Sequence, residues 1–377
     1  MKVAIVHNDY GKFSGEEAVI RDHAELLTSH GIRVVQFRRS SAELRGLAGA
    51  ARGFFSGIYN PFSRRRFAGF LDAEKPDVVH IHNLYPLISP CVLPEAKKRG
   101  IPVVMTVHNF RLFCPNGLFF DGEVICEACA EKKSVFPCLR KNCLQSRFKT
   151  LGYALRNWSA SRCGWYRDHV DRFLCLTGFQ MEKLIAYGIP RERCRIVPNF
   201  VSSTWLTEAR QAAPGASGYV AYMGRLSEEK GIDLLLETAR RLPEISFKIA
   251  GNGAENYRSS VSPNVEFVGY LTGTAQFEFM RNAAIQVMTS RWYECFPTSL
   301  LQGLALGIPA VVPKLGGMPE IISGAGESFE PGQLTEVLGK LWHDPARREL
   351  YRNNALEKIR DFSPEHCREL LKDAYTF

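Results

Sequence analysis

Short runs of β-branched and other apolar residues alternate along the chain with longer stretches of helical periodicity. In the first half, the apolar runs lie at 3–6, 34–37, 78–82 and 103–107, and helix-like stretches lie at 16–27 and 89–98. Strands that alternate with helices in this way lie parallel in a sheet that helices cover on both faces. The pattern predicts a doubly wound α/β domain.

A second series of the same kind follows. Its predicted strands lie at 219–223, 247–250, 265–268, 285–288 and 310–312, most of them followed closely by glycine or by a helix-start signal. The sequence therefore predicts two doubly wound domains in one chain. We expect a cleft between them, at which the carboxyl ends of both sheets meet a ligand.

A polar stretch of small residues at 213–217 marks the predicted boundary. We predict an N-terminal domain over 1–200, a linker over 201–217 and a C-terminal domain over 218–360. A last helix is predicted within 361–377, starting at the cap Ser363-Pro364-Glu365, and we expect it to pack back on the first domain.

Composition agrees with two ordinary globular domains. The 377 residues are 45% hydrophobic and 23% charged, which excludes a disordered, collagen-like or coiled-coil chain. The net charge of +9 is unevenly spread, since residues 1–200 hold 30 basic and 18 acidic side chains and residues 201–377 hold 18 and 21. The basic excess therefore belongs to the first half.

No apolar run reaches the roughly 18–20 residues of a membrane span. The N-terminal residues read as a buried strand rather than as a signal peptide, so we expect a cytoplasmic protein. The eleven cysteines are odd in number, and in a cytosolic chain they are expected to be free, packed or metal-bound.

The segment Gly224-Arg225-Leu226-Ser227-Glu228-Glu229-Lys230-Gly231 comes directly after a predicted strand and opens a helix. Such a turn directs backbone N–H groups and a helix N-terminus toward a bound anion, and Arg225 and Lys230 add two cationic donors. A diphosphate fits this arrangement. The alternative is a solvated turn whose cations pair with Glu228 and Glu229.

A second informative segment runs from Trp292 to Gln302. Glu294 comes shortly after a predicted strand, Pro297 is placed for the first turn of a helix, and Gln302 lies about one turn further along. The N–H groups near Thr298 would again face an anion. Alternatively, Glu294 only caps this helix through its charge.

His108 follows an apolar strand, so its side chain is expected at the carboxyl end of the first sheet. A lone histidine in this place is often a packed, hydrogen-bonded residue. His80 and His82 point to the same face of one strand, and their spacing alone indicates packing residues.

Several of these motifs together resemble the family-4 retaining glycosyltransferases of GT-B fold. The similar segments are Gly224-Arg225-Leu226 with Lys230-Gly231, the Gly251-Asn252-Gly253 turn and Glu294 through Gly317 in the second half, and Ser14-Gly15-Glu16-Glu17, Asp77 through His82 and Thr106 through Asn109 in the first. The resemblance covers about residues 2–358. It is to bacterial enzymes that build cell-surface glycans such as lipopolysaccharide and exopolysaccharide, in a branch with a cysteine-containing loop.

The resemblance implies transfer of a sugar from a UDP- or GDP-sugar to a glycan or lipid-linked acceptor, with the anomeric configuration kept. It implies donor diphosphate binding by Arg225, Lys230, Gly15, Thr298 and Ser299. It implies ribose or base contacts by Gln302, Gly251, Asn252 and Gly253. Finally, it places His108 and Glu294 at the transferred sugar and Glu17 and His82 on the acceptor side.

Gln302 departs from the family pattern, which has a glutamate at this position to bind the ribose hydroxyls. A glutamine still accepts a hydrogen bond, but the bond loses its charge assistance, a loss of about 1 kcal/mol. The chain has no Asp-x-Asp pair. We therefore expect catalysis without a metal cofactor, Arg225 and Lys230 standing in for it. An epimerase-like GT-B enzyme and a catalytically silent sugar-nucleotide binding protein are the alternatives.

Five cysteines fall between residues 114 and 143, and two of them form the pair Cys126-Glu-Ala-Cys129. Two thiolates at this spacing share one tetrahedral zinc ion, and Cys114 with Cys143 or Cys138 would complete the site. The interpretation is a structural zinc in a long loop, with free thiols or a disulfide as the alternatives.

Basic and aromatic residues interleave between Arg45 and Phe70, with the run Arg64-Arg65-Arg66 at the centre. Such a stretch suits peripheral contact with an anionic membrane at the inner face of the plasma membrane. The alternative is a helix with its aromatics in the core and its arginines in water. No nucleic-acid-binding motif accompanies the stretch, so nucleic acid is not an expected partner.

Overall fold

The apolar runs of the first half form six parallel strands in one sheet. The sheet is composed of β1 (Lys2–Asp9), β2 (Arg33–Ser40), β3 (Val78–Asn83), β4 (Val103–Thr106), β5 (Arg172–Cys175) and β6 (Cys194–Ile196). Their spatial order is β2-β1-β3-β4-β5-β6, and every pairing is parallel. The direction of winding reverses between β1 and β3, which makes the carboxyl ends of these two strands the switch point of the sheet.

The structure, a computed structural model, describes residues 1–11, 15–212, 218–257 and 261–377. It divides the chain into two compact units. The first is composed of Met1–Asp121, Ile125–Pro198 and Arg368–Phe377, and the second of Gly122–Val124 and Asn199–Cys367. Each unit has its own sheet and its own hydrophobic core.

Helices surround the first sheet. They are α1 (Gly15–Ser29), α2 (Gly46–Ile58), α3 (Pro61–Glu74), α4 (Leu93–Lys97), α5 (Ala128–Glu131), α6 (Phe136–Lys141), α7 (Arg147–Arg162), α8 (Trp165–His169) and α9 (Gly178–Ala186). The core holds the apolar side chains of β1, β3, β4 and β5 against α3, α4 and α9. The strand residues are buried on both faces, as a sheet covered by helices requires.

The second unit repeats this architecture. Its strands are β7 (Tyr219–Met223), β8 (Phe247–Ala250), β9 (Val265–Gly269), β10 (Ala283–Val287), β11 (Ala310–Pro313) and β12 (Gly326–Phe329). They are parallel in the order β12-β11-β10-β7-β8-β9, which is the strand order of dinucleotide-binding folds. The switch point lies between β7 and β10. The doubly wound α/β prediction is therefore confirmed for both halves.

The helices of the second half complete the architecture. They are α10 (Ser203–Gln211), α11 (Ile232–Arg241), α12 (Gly273–Arg281), α13 (Thr298–Ala305), α14 (Met318–Ile321), α15 (Leu334–Trp342), α16 (Pro345–Lys358) and α17 (Pro364–Ala374). Residues 368–377 cluster with the first unit. There Tyr375 is buried, and its hydroxyl is hydrogen-bonded to His80 at 2.7 Å.

The predicted linker over 201–217 needs correction. Residues 203–211 form α10, which Ser202 caps by accepting a hydrogen bond from the backbone N–H of Trp205. The Trp205 ring packs against Phe277 and donates to the backbone oxygen of Gln302 at 3.1 Å. This stretch is therefore part of the second unit, and residues 213–217 lie outside the described residues.

The single helix predicted over 89–98 is also wrong in detail. A 3₁₀ turn at Pro90–Val92 leads into the short α4, because Pro94 has no N–H with which to continue a longer helix. None of the helices in the described ranges combines the length and the apolarity that a membrane-spanning segment requires.

Part of the stretch from Arg45 to Phe70 packs in the core, and part of it is exposed as a membrane contact would require. Phe67 is fully buried, Phe70 packs against the core, and Arg64 is ion-paired with Glu95 at 2.8 Å. This part of the stretch therefore follows the core-helix alternative. Phe55 and Phe62 remain exposed, with Arg52, Arg65 and Arg66 exposed beside them.

Candidate functional site

The clearest concentration of functional groups lies at the switch point of the second sheet. β7 and β10 are neighbours there, and the loops that follow them carry the segments 224–231 and 288–297. Three contacts join the two loops. Thr289 Oγ1 donates to the backbone oxygen of Lys230 at 2.7 Å, the Arg291 N–H donates to the Glu229 oxygen at 2.9 Å, and Lys230 forms an ion pair with Glu294.

The Lys230–Glu294 ion pair is nearly buried, with 12% and 9% of the two side chains exposed. Oε1 of Glu294 also accepts hydrogen bonds from Ser290 Oγ and from Trp292 Nε1, both at 2.6 Å. The ammonium of Lys230 lies 5.3 Å from the centre of the Trp292 ring, within range of a cation–π interaction. Glu294 is thus held by three donors, and it does not cap α13, where Pro297 is the capping residue.

The environment keeps Glu294 ionised. Burial alone would raise the pKa of its carboxyl, but the charge of Lys230 and the hydrogen bonds from Lys230, Ser290 and Trp292 lower that pKa below its ordinary value. A carboxylate and an ammonium therefore face each other at neutral pH. Lys230 is positioned as a fixed cation at the carboxyl edge of the sheet.

Arg225 behaves differently from Lys230. Its side chain is 68% exposed, and its guanidinium lies 3.3 Å from Glu229 in a surface ion pair. The backbone around it is held more firmly, since the buried Tyr222 hydroxyl donates to the Arg225 carbonyl at 3.0 Å. Within the described residues, the buried Ser227 hydroxyl has no hydrogen-bond partner. The solvated-turn alternative thus describes Arg225 and not Lys230.

Beside this site, a glycine lets one further loop, the one after β8, approach the loop after β7. The Gly224 N–H donates to the Ala250 oxygen and the Leu226 N–H to the Asn252 oxygen, at 3.0 and 2.9 Å. A Cβ on Gly251 would lie 1.8 Å from the Gly224 oxygen, and Gly251 has a φ of +153°. The close approach of the 224–226 and 251–253 loops therefore requires glycine at position 251.

The helix α13 begins with Thr298 and Ser299, so the two residues predicted near an anion do lie at a helix N-terminus. Gln302 lies further along α13, and its Oε1 accepts a hydrogen bond from Gln276 Nε2 at 2.9 Å. The second unit thus carries most of the predicted donor residues on loops and helix starts at one edge of its sheet.

In the first unit, four histidines from three elements come together. His80 and His82 lie on β3, His108 follows β4, and His23 lies on α1. Nδ1 of His82 is hydrogen-bonded to Nε2 of His108 at 2.8 Å. His80 is hydrogen-bonded through one ring nitrogen to Tyr375 and through the other to Thr106, each at 2.7 Å. His80 is a packed residue, as the spacing indicated, whereas His82 contacts His108 directly.

Burial keeps these imidazoles neutral. It lowers the pKa of His108 and that of His23 to about 3, and it lowers the pKa of His82 well below the ordinary value together with the nearby His80 and His108. Because both rings are neutral, one of the two facing nitrogens, Nδ1 of His82 or Nε2 of His108, carries a hydrogen and donates it to the other. His82 Nε2 is buried and has no hydrogen-bond partner within the described residues.

A second cluster of polar side chains lies at the carboxyl end of β1, and the sequence motifs do not predict its hydrogen bonds. Arg111 donates to the Tyr10 hydroxyl at 3.2 Å, and that hydroxyl donates to Glu16 at 2.8 Å. Burial raises the pKa of Glu16. Arg111 is 101 residues away from Tyr10 in the sequence. Only its position three residues after His108 could have indicated it.

The remaining residues predicted in the first unit lie at or near the start of α1. Glu17 accepts a hydrogen bond from the Tyr10 N–H at 2.8 Å, which ties the start of α1 to the end of β1. Gly15 is the exposed first residue of α1. Ser14, which belongs to the same predicted motif, lies outside the described residues.

The cysteines of the predicted zinc set are near neighbours, since burial and then the nearby Cys114, Cys143 and Cys126 raise the pKa of Cys129, but within the described residues no three of their sulfur atoms all lie within 4.8 Å of one another. Cys114 Sγ contacts Asn116 at 2.9 Å, and Lys141 donates to Cys126 Sγ at 3.3 Å. In the described ranges, the groups of three or more ligand atoms within 4.8 Å of one another are His23, His80 and His82, and His7, Asp9 and Glu17. Within the described residues no two cysteines form a disulfide, and structural zinc stays a prediction.

Comparison with known families identifies both halves of the chain. A family model described as "Glycosyltransferase Family 4" matches residues 13–205, which are 193 of the 377 residues. A second model, "Glycosyl transferases group 1", matches residues 204–358. The predicted family resemblance is therefore confirmed.

Characterised proteins are similar at low identity. The chain is 24% identical to alpha-galactosylglucosyldiacylglycerol synthase of Streptococcus pneumoniae, over 56% of this chain and 62% of that protein. It is 29% identical to the GDP-mannose-dependent alpha-mannosyltransferase of Mycobacterium tuberculosis, over 45% of this chain and 47% of that protein. The chain thus spans less than two thirds of the length of these relatives.

Solved structures share the fold over almost the whole chain. The lipopolysaccharide outer core galactosyltransferase WaaB superposes with a TM-score of 0.64 at 17% identity, covering 99% of both chains. HepE of Anabaena in complex with UDP-glucose gives a TM-score of 0.64 at 16% identity, again over 99% of both chains. The likeness confirms the predicted GT-B type of fold.

The buried histidines predict a selective loss of stability in mild acid. His7, His23, His80 and His82 are all buried, and burial lowers the pKa of each, to about 4 for His7 and about 3 for His23. Below pH 6.5 the unfolded chain binds protons that the folded first unit does not, so its stability falls as the pH falls. Each histidine contributes up to about 1.4 kcal/mol per pH unit.

Hydrogen exchange at pH 7 and pH 5, corrected for the intrinsic exchange rates, measures this effect for each sheet separately. Protection of β1 and β3 is expected to fall sharply between the two pH values. The second sheet is an internal control, because the histidines of that unit, His343 and His366, are exposed. Equal loss in both sheets, or none in the first, would contradict the assignment of neutral buried imidazoles.

Proposed function

Because the chain belongs to Glycosyltransferase Family 4, we propose that it transfers a sugar from a UDP- or GDP-sugar to a lipid-linked or cell-surface glycan, with retention of the anomeric configuration. The observation that carries the proposal is the buried Lys230–Glu294 pair at the switch point of the second sheet. Ligands of open α/β sheets bind at such a point, beyond the carboxyl ends of the strands.

The donor diphosphate is assigned to Lys230 and Arg225. Lys230 is a nearly buried cation held by Glu294, and the exposed Arg225 is free to turn its guanidinium toward a bound anion. The start of α13 at Thr298 and Ser299 supplies backbone N–H groups and the positive end of a helix dipole. Gly15 is proposed as a further diphosphate contact.

These groups suit the charge that develops in the reaction. As the nucleoside diphosphate leaves, negative charge grows on its oxygens while the sugar becomes oxocarbenium-like. Fixed cations at the leaving group stabilise that change because they are already in place before it occurs. Glu294 is assigned to the sugar. No metal cofactor is proposed for catalysis, since Lys230 and Arg225 supply the positive charge at the diphosphate.

His108 is proposed as the contact to the transferred sugar from the first unit. Since it is neutral, it exchanges hydrogen bonds with sugar hydroxyls and adds no charge to the site. Its partner His82, together with Glu17, is assigned to the acceptor side. Arg111 joins them in this proposal, because it is the cation that ends the Tyr10–Glu16 hydrogen-bonded chain.

Names among the similar proteins support the choice of substrates. HepE was solved with UDP-glucose, and one relative is named for GDP-mannose, which are both nucleotide-diphosphate sugars. Another relative is named for a diacylglycerol glycolipid, and WaaB for the lipopolysaccharide outer core. Ribose binding is assigned to Gln302, whose side chain Gln276 already orients, and the base to the loop Gly251-Asn252-Gly253.

A donor panel tests the proposed function. The protein is incubated with UDP- and GDP-sugars and a bacterial membrane lipid extract, and nucleotide release and glycolipid products are both measured. Release coupled to a new glycolipid is the expected result. Binding without turnover would point to a silent binding protein, and conversion of one nucleotide sugar into another without nucleotide release would point to an epimerase. Either outcome would contradict the proposal.

Arg225 offers a clean test of the diphosphate assignment, because its ion pair with Glu229 is a surface contact. Arg225→Ala should change the free energy of unfolding by less than about 0.5 kcal/mol. It should weaken the binding of UDP or GDP by about tenfold or more, through the loss of a charge-assisted hydrogen bond. Isothermal titration calorimetry gives the affinity, and thermal unfolding gives the stability.

Arg241→Ala is the matched control. Arg241 is also an exposed arginine paired with a glutamate one helical turn away, on α11 of the same unit. It should leave both quantities unchanged. An unchanged diphosphate affinity in Arg225→Ala, or an equal loss in Arg241→Ala, would show that the diphosphate is bound elsewhere.

We also propose that the cysteine loop holds a structural zinc through Cys114, Cys126, Cys129 and Cys143. Thiolates are the zinc ligands, and the hydrogen bond with Cys138 lowers the pKa of Cys143 below its ordinary value. Metal analysis of the purified protein should find about one zinc per chain. The content should be lost in Cys126→Ser/Cys129→Ser and kept in the exposed-cysteine control Cys163→Ser. A zinc-free wild type would refute this.

A further inference from the structure

Two segments of the first unit carry basic side chains and no acidic ones. From residue 132 to residue 167 there are nine lysines and arginines and no aspartate or glutamate, and from residue 44 to residue 71 there are five arginines and again no acidic residue. The first segment contains α6 and α7, and the second contains α2 and α3. Such blocks of one sign are typical of a surface that meets an anionic partner.

The helices of these segments also expose large apolar side chains. On α2, Leu47 is 92% exposed and Phe55 is 68% exposed. On α7, Phe148, Leu151 and Trp158 are 56%, 43% and 55% exposed. Single exposed apolar residues are ordinary on protein surfaces, but a group of this size on neighbouring helices indicates an interaction site.

α2 and α7 pack directly against each other. The Phe54 ring stacks on Phe148 with 5.0 Å between centroids, and Phe55 lies 5.2 Å from Phe54. A Cβ on Gly152 would lie 2.6 Å from the Phe54 ring, so glycine at this position lets the ring approach the α7 backbone. The three phenylalanines therefore form one aromatic seam that joins the exposed surfaces of the two helices.

The same two helices carry exposed cations. Arg147, Lys149 and Arg162 are exposed on α7, and Arg52 is exposed on α2. In the part of the chain that the structure describes, no carboxylate lies within 4.0 Å of the three α7 cations, whereas Arg52 lies 3.5 Å from Glu43. Charge is thus available here for a partner from outside the unit.

We propose that this α2–α7 face, defined by Leu47, Phe55, Phe148, Leu151 and Trp158 with the cations Arg52, Arg147, Lys149 and Arg162, docks the protein onto an anionic lipid bilayer. The inference deepens the proposed function and rests on its lipid-linked acceptor. The α2–α7 face replaces the run Arg64-Arg65-Arg66 as the expected membrane contact, since Arg64 is paired with Glu95 and Phe67 is in the core.

A bilayer fits the composition of the face better than a protein or a nucleic acid does. Aromatic and aliphatic side chains on a helix surface enter the headgroup region, and tryptophan is favoured at that depth. Lysines and arginines around them contact anionic headgroups, each strengthening binding by about fivefold. The absence of acidic residues from 132 to 167 removes the repulsion that such a surface would otherwise impose.

Vesicle co-sedimentation of the whole protein tests the proposal, with phosphatidylcholine vesicles and with vesicles that also contain phosphatidylglycerol. The wild type should bind the anionic vesicles much more strongly, and the binding should fall as the salt concentration rises. The variant Arg147→Gln/Lys149→Gln/Arg162→Gln should bind about 100-fold more weakly, as three lost contacts of about fivefold each imply. Phe148→Ser/Trp158→Ser should also bind more weakly.

The variant Lys97→Gln/Lys98→Gln/Arg191→Gln is the matched control, because it removes the same charge from exposed positions elsewhere in the first unit. It should keep near-wild-type binding. Equal losses in both charge variants, or equal binding to neutral vesicles, would overturn the proposal. So would retention on RNA without vesicle binding, or a dimer in sedimentation velocity that Phe148→Ser/Trp158→Ser abolishes.

Donor binding separates this inference from the proposed function. The α7 variants should bind UDP or GDP as the wild type does, because the face contains no donor residue. A protein that binds vesicles through the α2–α7 face but turns over no sugar donor would refute the proposed function alone. A protein that turns over a donor but ignores vesicles would refute the docking surface alone.

Discussion

The buried ion pair between Lys230 and Glu294 is the interaction on which the account of the second unit depends. It joins the loop after β7 to the loop after β10, the two strands that meet at the switch point. A buried pair of this kind adds little stability by itself, but removing either partner leaves an uncompensated charge and costs about 3–5 kcal/mol. Such a pair is therefore better explained by what it positions than by what it stabilises.

What it positions is a cation at the edge of a parallel sheet. Ser290 and Trp292 donate to the same oxygen of Glu294 that pairs with Lys230, so the carboxylate stays in place when a ligand approaches the ammonium. Gly251 lets one more loop, the one after β8, approach this edge closely. The first unit follows a different principle. Its buried imidazoles are neutral, and they exchange hydrogen bonds where the second unit supplies charge.

The sequence predicts the architecture well because apolar runs and helical periods alternate in both halves. It also predicts Lys230 and Glu294, since each follows a strand in a short motif. It does not predict that the two side chains pair, because 64 residues separate them. The Tyr10–Glu16–Arg111 group is missed for the same reason. α10 is missed because Ser202 and Trp205 lie in a stretch that small polar residues make resemble a linker.

The sequence also does not predict which aromatic side chains of the basic stretches are exposed. Phe67 and Phe62 belong to the same interleaved stretch, yet one is in the core and the other is exposed, as the packing of α3 decides. The stretch from 132 to 167 is more basic than the one that first attracts attention, and its aromatic residues are more widely spaced. Only the contact of α7 with α2 brings the two segments together on one surface.

The central claim is that Lys230 holds the diphosphate of a nucleotide sugar while Glu294 holds Lys230. A crystal structure of the whole chain with bound UDP or GDP tests it most directly. The account predicts a diphosphate oxygen within hydrogen-bond distance of Lys230 Nζ, with Glu294 still hydrogen-bonded to Ser290 and Trp292. A diphosphate bound away from the loops that follow β7 and β10, with the Lys230–Glu294 pair untouched, would contradict it.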